Sequence, residues 1–330
     1  MGREAVALKN SNVLESHWER PRGDFQPSSK KGFTWFSLFL ILLCSSLNVH
    51  AQALESSPKL ESSRKIVKWG RLELSLPRQI SPGQAFSLRF SGRGASRVRV
   101  RFPLEGFETL GSTLESPESV KKSFVLGRAR LEDQKNIPLE LISQYEILKL
   151  SLPLEVEKKE VQQLEFKKTE FLSINKNRSA EDFKLGKIYG LSGSRAWTEP
   201  FAAPARGRIT SPYGTPRQYT PGTPISYHSG IDYGSPSGTP IYAVNAGQVA
   251  FVGHYAVRGN ITVLNHGLGL YTAYLHQSKI LVKVGQKVAR GQKIGEIGST
   301  GLSTAPHLHL EFRLRGVAVS PLEWLGRVMP

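Results

Sequence analysis

The 330-residue chain has a single cysteine, Cys44, and few acids: 27 Asp and Glu stand against 44 Lys and Arg. One thiol excludes a fold stapled by internal disulfides, so stability must come from apolar cores. No apolar run reaches the roughly 20 residues that a membrane-spanning helix needs. Nor is there a dense basic block of the kind a nucleic-acid-binding arm shows, because Lys and Arg are spread along the whole chain. Between His50 and His228 there is no histidine, and no cluster of Cys, Asp and His stands out. That stretch therefore reads as structural or binding, not catalytic.

The acid deficit leaves a formal net charge of +17, which favours an anionic partner such as a membrane surface or a cell-wall polymer. Nucleic acid is not expected. At the N-terminus, Arg20, Arg22, Lys30 and Lys31 precede the apolar run "FTWFSLFLILL", residues 33–43, and then the small residues Ala51 and Ala53. That order matches a secretory signal, and the predicted location is the periplasm or cell envelope. The alternative is an inner-membrane anchor over residues 33–47. Residues 1–51 are thus expected to be a tail and signal peptide, and the Ser-rich residues 52–64 a linker.

From residue 65 to 172 short alternating runs recur between Pro and Gly signals. "AFSLRF" puts Phe86, Leu88 and Phe90 on one face, and "RVRVRF" does the same with Val98, Val100 and Phe102. This pattern predicts an immunoglobulin-like antiparallel β-sandwich. Residues 173–200 lose the alternation and are read as a connector. From 201 to 330 Gly, Pro, Tyr and β-formers return, in "TPIYAVNAGQVAFVG" and "LYTAYLH", so the C-terminal domain is also expected to be antiparallel β. Its "VGQKVARGQKIGEIGSTG" has the Gly-turned hairpin rhythm of the lipoyl and biotinyl hybrid sandwich. The fold class is all-β.

Six of the eight histidines fall after residue 227. In "STAPHLHLEF", residues 303–312, strand alternation places His307, His309 and Glu311 on one face and Leu308, Leu310 and Phe312 on the other. "YHSGIDY" sets His228 and Asp232 four apart around a glycine, a spacing that lets a turn aim both side chains at one point. "YLHQ" ends an alternating strand at His276. Taken singly, each histidine is more often a satisfied polar residue than a ligand. Together with Asp232 they supply nitrogen and oxygen donors of the kind zinc takes, with imidazoles to spare. His254 and His266 sit in or beside Gly-rich turns and are left structural. Glu311 could orient a histidine, but an exposed charge at a strand end is the expectation.

Residues 207–325 resemble the lysostaphin-type zinc metallopeptidases, the glycyl-glycine endopeptidase family of cell-wall hydrolases. The resemblance rests on "HSGID", "YLH" and "GSTGLSTAPHLHLEF" in that order. It implies one zinc ion held by His228, Asp232 and His309, with His276 and His307 acting on the water and the intermediate. It also implies a tyrosine that helps hold the oxyanion, for which Tyr219 is the positional candidate. The expected activity is hydrolysis of peptide bonds in peptidoglycan. The rival is a catalytically silent wall-binding protein that activates another hydrolase, and the full set of five residues argues against it. The sandwich would either hold the enzyme on the wall or cover its cleft.

Overall fold

The computed structural model describes residues 64–114, 122–164, 167–191 and 193–327. The expected signal peptide, Cys44 and nearly all of the 52–64 linker lie outside the described residues. Strand is the main regular element of what is described, and nearly all of its pairing is antiparallel, as the alternation predicts.

Two sheets make the first half. One orders its five strands as Arg64–Trp69, Leu72–Pro77, Ala85–Gly92, Lys122–Arg128 and Ser112–Leu114. The other runs Phe107–Leu110, Arg99–Phe102, Ile137–Ile142 and Ile147–Leu152. Period-two patterning gives each sheet one apolar face. Leu74, Leu88 and Phe90 of the first meet Val100, Phe102, Leu139 and Leu141 of the second in one buried cluster.

The C-terminal sheet is built around the strands Ile231–Gly234, His307–Leu314, Leu270–Ile280, Gly259–Gly267 and Gly247–Tyr255, in that spatial order. Along His307–Leu314 the apolar set Leu308, Leu310, Phe312 and Leu314 is fully buried, packed with Phe201, Trp197 and Trp324. Ala85, Phe124 and Leu126 of the sandwich join this core. Bonds to backbone carbonyls reinforce the junction: Ser320 N–H donates to that of Gly83 at 2.8 Å, and the Arg315 side chain, through Nη1, to that of Leu126 at 2.9 Å.

Where the sequence reading expects a connector, residues 168–189 form a helix, Lys168–Tyr189, here α1. Its inward residues are Phe171, Ile174, Arg178, Glu181, Leu185 and Tyr189, which follow a three-and-four spacing and so lie on one stripe. Leu185 and Tyr189 cover Ile261, Val263, Tyr271 and Ala273 on the sheet. The middle of the stripe is charged. Glu181 accepts from Arg258 Nη1 at 2.9 Å and from the Val257 N–H at 2.8 Å, with both charged side chains buried. Two charges within a six-residue stripe hide the amphipathic pattern from a hydrophobicity reading.

Candidate metal centre

Strand pairing assembles the centre. In the antiparallel register of Ile231–Gly234 with His307–Leu314, Asp232 lies directly opposite His309 and Gly234 opposite His307. Directly opposed residues share a face and sit close, so a carboxylate and an imidazole meet without any loop positioning them. His228 precedes the strand and is held by two backbone bonds, its N–H to Thr215 O at 2.9 Å and its carbonyl from Gly214 N–H at 2.8 Å. Gly230 makes the approach possible: a Cβ there would come within 2.3 Å of the Leu310 carbonyl oxygen and 2.8 Å of His309 Nε2.

Three donor atoms converge. His228 Nε2 is 3.0 Å from His309 Nδ1, His309 Nδ1 is 2.8 Å from Asp232 Oδ1, and Asp232 Oδ1 is 3.2 Å from His228 Nε2. Among the described residues this His228, Asp232 and His309 group is the one whose donors can hold a metal ion. Tetrahedral zinc with bonds of about 2.0–2.1 Å separates its ligand atoms by about 3.3 Å, so these donors fit such an ion with small outward adjustments.

The outer contacts fix which nitrogen faces the centre. His228 Nδ1–H donates to the Pro212 carbonyl at 2.8 Å, with Ser211 Oγ at 3.2 Å, which leaves Nε2 free as a donor to metal. On the other side of the ring pair, His309 Nε2–H faces Glu311 Oε1 at 3.4 Å. Glu311 also accepts from Ser229 Oγ at 2.6 Å and Arg313 Nε at 2.7 Å.

This corrects the expectation for Glu311. It is 2% exposed, not a free charge at a strand end. Burial would raise its carboxyl, but Arg313 and His309 outweigh that and hold it well below the usual carboxylate range. In the same way burial opposes charge on Asp232, yet its bonds to His228 and His309 hold its carboxyl far below the ordinary value. Burial also disfavours charge on His309, but Asp232 and Glu311 overcome it and raise the imidazole to about 9. His228 is lowered, by burial first and then by the neighbouring His309 against the pull of Asp232.

His276 and His307 stand beside this group. Their ring centroids are 4.7 Å apart, and that of His276 is 6.2 Å from His309. His276 Nδ1–H donates to the Thr300 carbonyl and His307 Nδ1–H to the Ala305 carbonyl, each at 2.8 Å. In its neutral form each ring is therefore held in the tautomer with a bare Nε2, and that of His307 lies 3.9 Å from Asp232 Oδ1. His276 takes a positive φ of 61°, rare for a side chain with a Cβ and costly by about 1–2 kcal/mol. Burial, followed by the charge on His309, lowers its imidazole to about 4.

Tyr219 is buried. Its hydroxyl receives Arg178 Nη2 of α1 at 3.2 Å, and its ring packs on Phe171, centroids 5.9 Å apart. Burial would raise the phenol, but Arg178 and Arg217 lower it instead. Arg217 links it to the centre: its Nη2 donates to Ser211 Oγ at 2.7 Å, the hydroxyl that neighbours His228 Nδ1. His266 is fully buried away from the site, donating from Nδ1 to the Ala246 carbonyl at 2.7 Å and accepting at Nε2 from Thr272 Oγ1 at 2.8 Å. His254 is exposed and bonds Asn260 Oδ1 at 2.9 Å.

Sequence reasoning did not find Ser211, Ser229, Arg217 or the carbonyl of Pro212. Ser229 adjoins His228 in "HSGID", but its partner Glu311 is 82 positions away, and nothing local signals the pair.

Comparison with known proteins places this geometry. The model for peptidase family M23 matches residues 226–321. Peptidoglycan DD-endopeptidase ShyA of Vibrio cholerae is 41% identical over 142 residues, which are 42% of this chain and 33% of that protein. DD-carboxypeptidase/endopeptidase Mpg of Neisseria meningitidis is 41% identical over 115 residues, 35% of this chain and 26% of that protein. The chain thus spans a third or less of these two curated relatives. Among solved structures, a putative M23 peptidase from Pseudomonas aeruginosa aligns over 74% of this chain and 95% of its own with a TM-score of 0.56. At 23% identity that likeness speaks for the fold alone. Through residues 226–321 the chain carries a peptidase family M23 domain.

Proposed function

We propose that this chain is an exported zinc-dependent endopeptidase that hydrolyses peptide bonds in peptidoglycan stem peptides or cross-links. The observation that carries the reading is the convergence of five side chains: three donor atoms about 3 Å apart, with two carbonyl-anchored imidazoles beside them. His228 and His309 would each give one nitrogen to the ion and Asp232 one oxygen. When bound, zinc supplies Lewis acidity at a scissile carbonyl and lowers the pKa of a water toward about 7.

The protein's own groups do the rest. A histidine whose Nδ1–H is tied to a carbonyl presents Nε2 as a base, and it can return the same proton to the leaving amine. His276 and His307 share these two tasks. Tyr219, its phenol acidified by Arg178 and Arg217, would donate a hydrogen bond to the developing oxyanion. Glu311 and the Pro212 carbonyl keep the two ligand imidazoles oriented. The named activities of the relatives support peptidoglycan as substrate and an envelope location, and the apolar run 33–43 supports export.

Replacing His228 by alanine tests the reading. The expected result is loss of bound zinc together with loss of wall degradation; undiminished degradation would overturn it.

A further inference from the structure

At one end of the sandwich three loops enclose an open groove of about 890 Å³, lined by Trp69, Arg71, Arg93, Arg97, Tyr145 and Glu146 among others. The loops are the two-residue turn between Trp69 and Leu72, the segment after Ala85–Gly92, and the turn between Ile142 and Ile147. A concavity of this size holds several units of a polymer or one mid-sized ligand.

The groove's lining carries a net positive charge. Arg99 pairs with Glu108, Arg101 with Glu108 and Glu140, and Arg128 with Glu105, at 2.7–2.9 Å. None of Arg71, Arg93 and Arg97 lies within ion-pair distance of an acid among the described residues, and Glu146 is the one carboxylate in the lining. Three guanidiniums gathered from two loops, with one carboxylate in the lining and no ion pair made among the described residues, leave the groove net positive and open to an anion. Tyr145 adds a second feature. It is 86% exposed, yet its turn is ordered, because Ser143 Oγ accepts from the N–H groups of Tyr145 and Glu146 at 3.2 and 3.1 Å. The turn therefore holds an aromatic face out to solvent at the groove's rim, a surface suited to stacking on a sugar ring.

We propose that this groove binds a carboxylate-bearing glycopeptide strand, the guanidiniums taking the carboxylates and Tyr145 a sugar face. It is a second, non-catalytic contact with the polymer that the metal centre cuts. The identity of the polymer rests on the wall-peptidase reading; the groove itself does not. Since the sandwich shares a core with the catalytic sheet, the contact would hold the cutting site close to its substrate and raise its effective concentration there.

The test is co-sedimentation of the full chain with purified insoluble peptidoglycan, with uncharged chitin and duplex DNA as comparison ligands. Three proteins are compared with wild type. They are the groove variant Arg71→Glu, Arg93→Glu, Arg97→Glu; the single change Tyr145→Ala; and a control carrying the same charge change elsewhere, Lys279→Glu, Lys283→Glu, Lys287→Glu. The groove variant should lose about tenfold in affinity for peptidoglycan and Tyr145→Ala about threefold or more, while the control loses less than threefold. Cleavage of a short soluble stem peptide should be unchanged in all three. The proposal is overturned if the control loses as much as the groove variant, if Tyr145→Ala binds like wild type, or if wild type prefers duplex DNA. A wild-type chain that sediments with peptidoglycan but cuts no peptide would instead refute the peptidase reading and leave the groove standing.

Discussion

Glu311→Gln removes one negative charge from a buried network while keeping its shape. In the native chain Glu311 answers the half-buried Arg313, whose Nε donates to it at 2.7 Å, and faces the imidazole of His309. Arg313 keeps a bond to the Gly316 carbonyl at 2.9 Å and its place over the Tyr189 ring, but neither supplies a counter-charge. Leaving a fully buried cation without its partner costs about 3–5 kcal/mol; 14% of the Arg313 side chain stays exposed and the amide oxygen of glutamine recovers part, so the low end, about 3 kcal/mol, is expected. For a domain of this size that lowers Tm by roughly 6–12 °C. Zinc affinity should fall as well, by about 10–100-fold, because the carboxylate that orients His309 and strengthens its donor nitrogen is gone. The assays are thermal unfolding of chelator-treated protein and competition for zinc with a chromophoric chelator. A variant with an unchanged Tm and unchanged zinc affinity would refute the reasoning and make Glu311 a bystander.

Other outcomes follow from single contacts. Gly230→Ala should abolish metal binding with little refolding of the distant sandwich core, because its methyl would strike the Leu310 carbonyl and the His309 ring; intact zinc content in a folded variant would contradict this. Glu181→Ala removes one of the two carboxylates that answer buried Arg258, leaving Asp182 at 2.5 Å, and should cost about 1.5–3 kcal/mol. Limited proteolysis should then cut within residues 168–189 before the sheet, and equal protection in variant and wild type would count against the docking role of this pair. His266 is lowered to about 4 by burial, so the unfolded chain binds the extra proton between pH 6.5 and 4. Stability from this group is complete above pH 6.5 and is lost as pH falls toward 4, by about 3 kcal/mol. Unfolding free energies of wild type and His266→Gln across that range should converge as pH drops, and parallel curves would contradict the assignment.

Much of the site was legible because strand alternation is a strict rule. "STAPHLHLEF" placed His307, His309 and Glu311 on one face, and in the fold Leu308, Leu310 and Phe312 are fully buried on the other. The turn at Gly230 in "HSGID" brought His228 toward that face through sequence-local geometry. Burial of Glu311 was not legible, since it depends on Arg313 two residues on and on Ser229, 82 positions before it. Nor was α1, whose stripe replaces two apolar positions with Arg178 and Glu181 and finds their partners in Tyr219 and Arg258. The positive φ of His276 has no sequence signature, because a histidine in a strand pattern reads as extended.

The central claim is metal-dependent cleavage of peptide bonds in peptidoglycan. Mass spectrometry of purified peptidoglycan after digestion by the full chain, with and without a chelator, tests it directly. New fragments with free amino and carboxyl ends at a peptide bond are expected, with their loss in the chelator and their return when zinc is restored. Fragments that persist undiminished in the chelator, or cuts confined to the glycan, would contradict it.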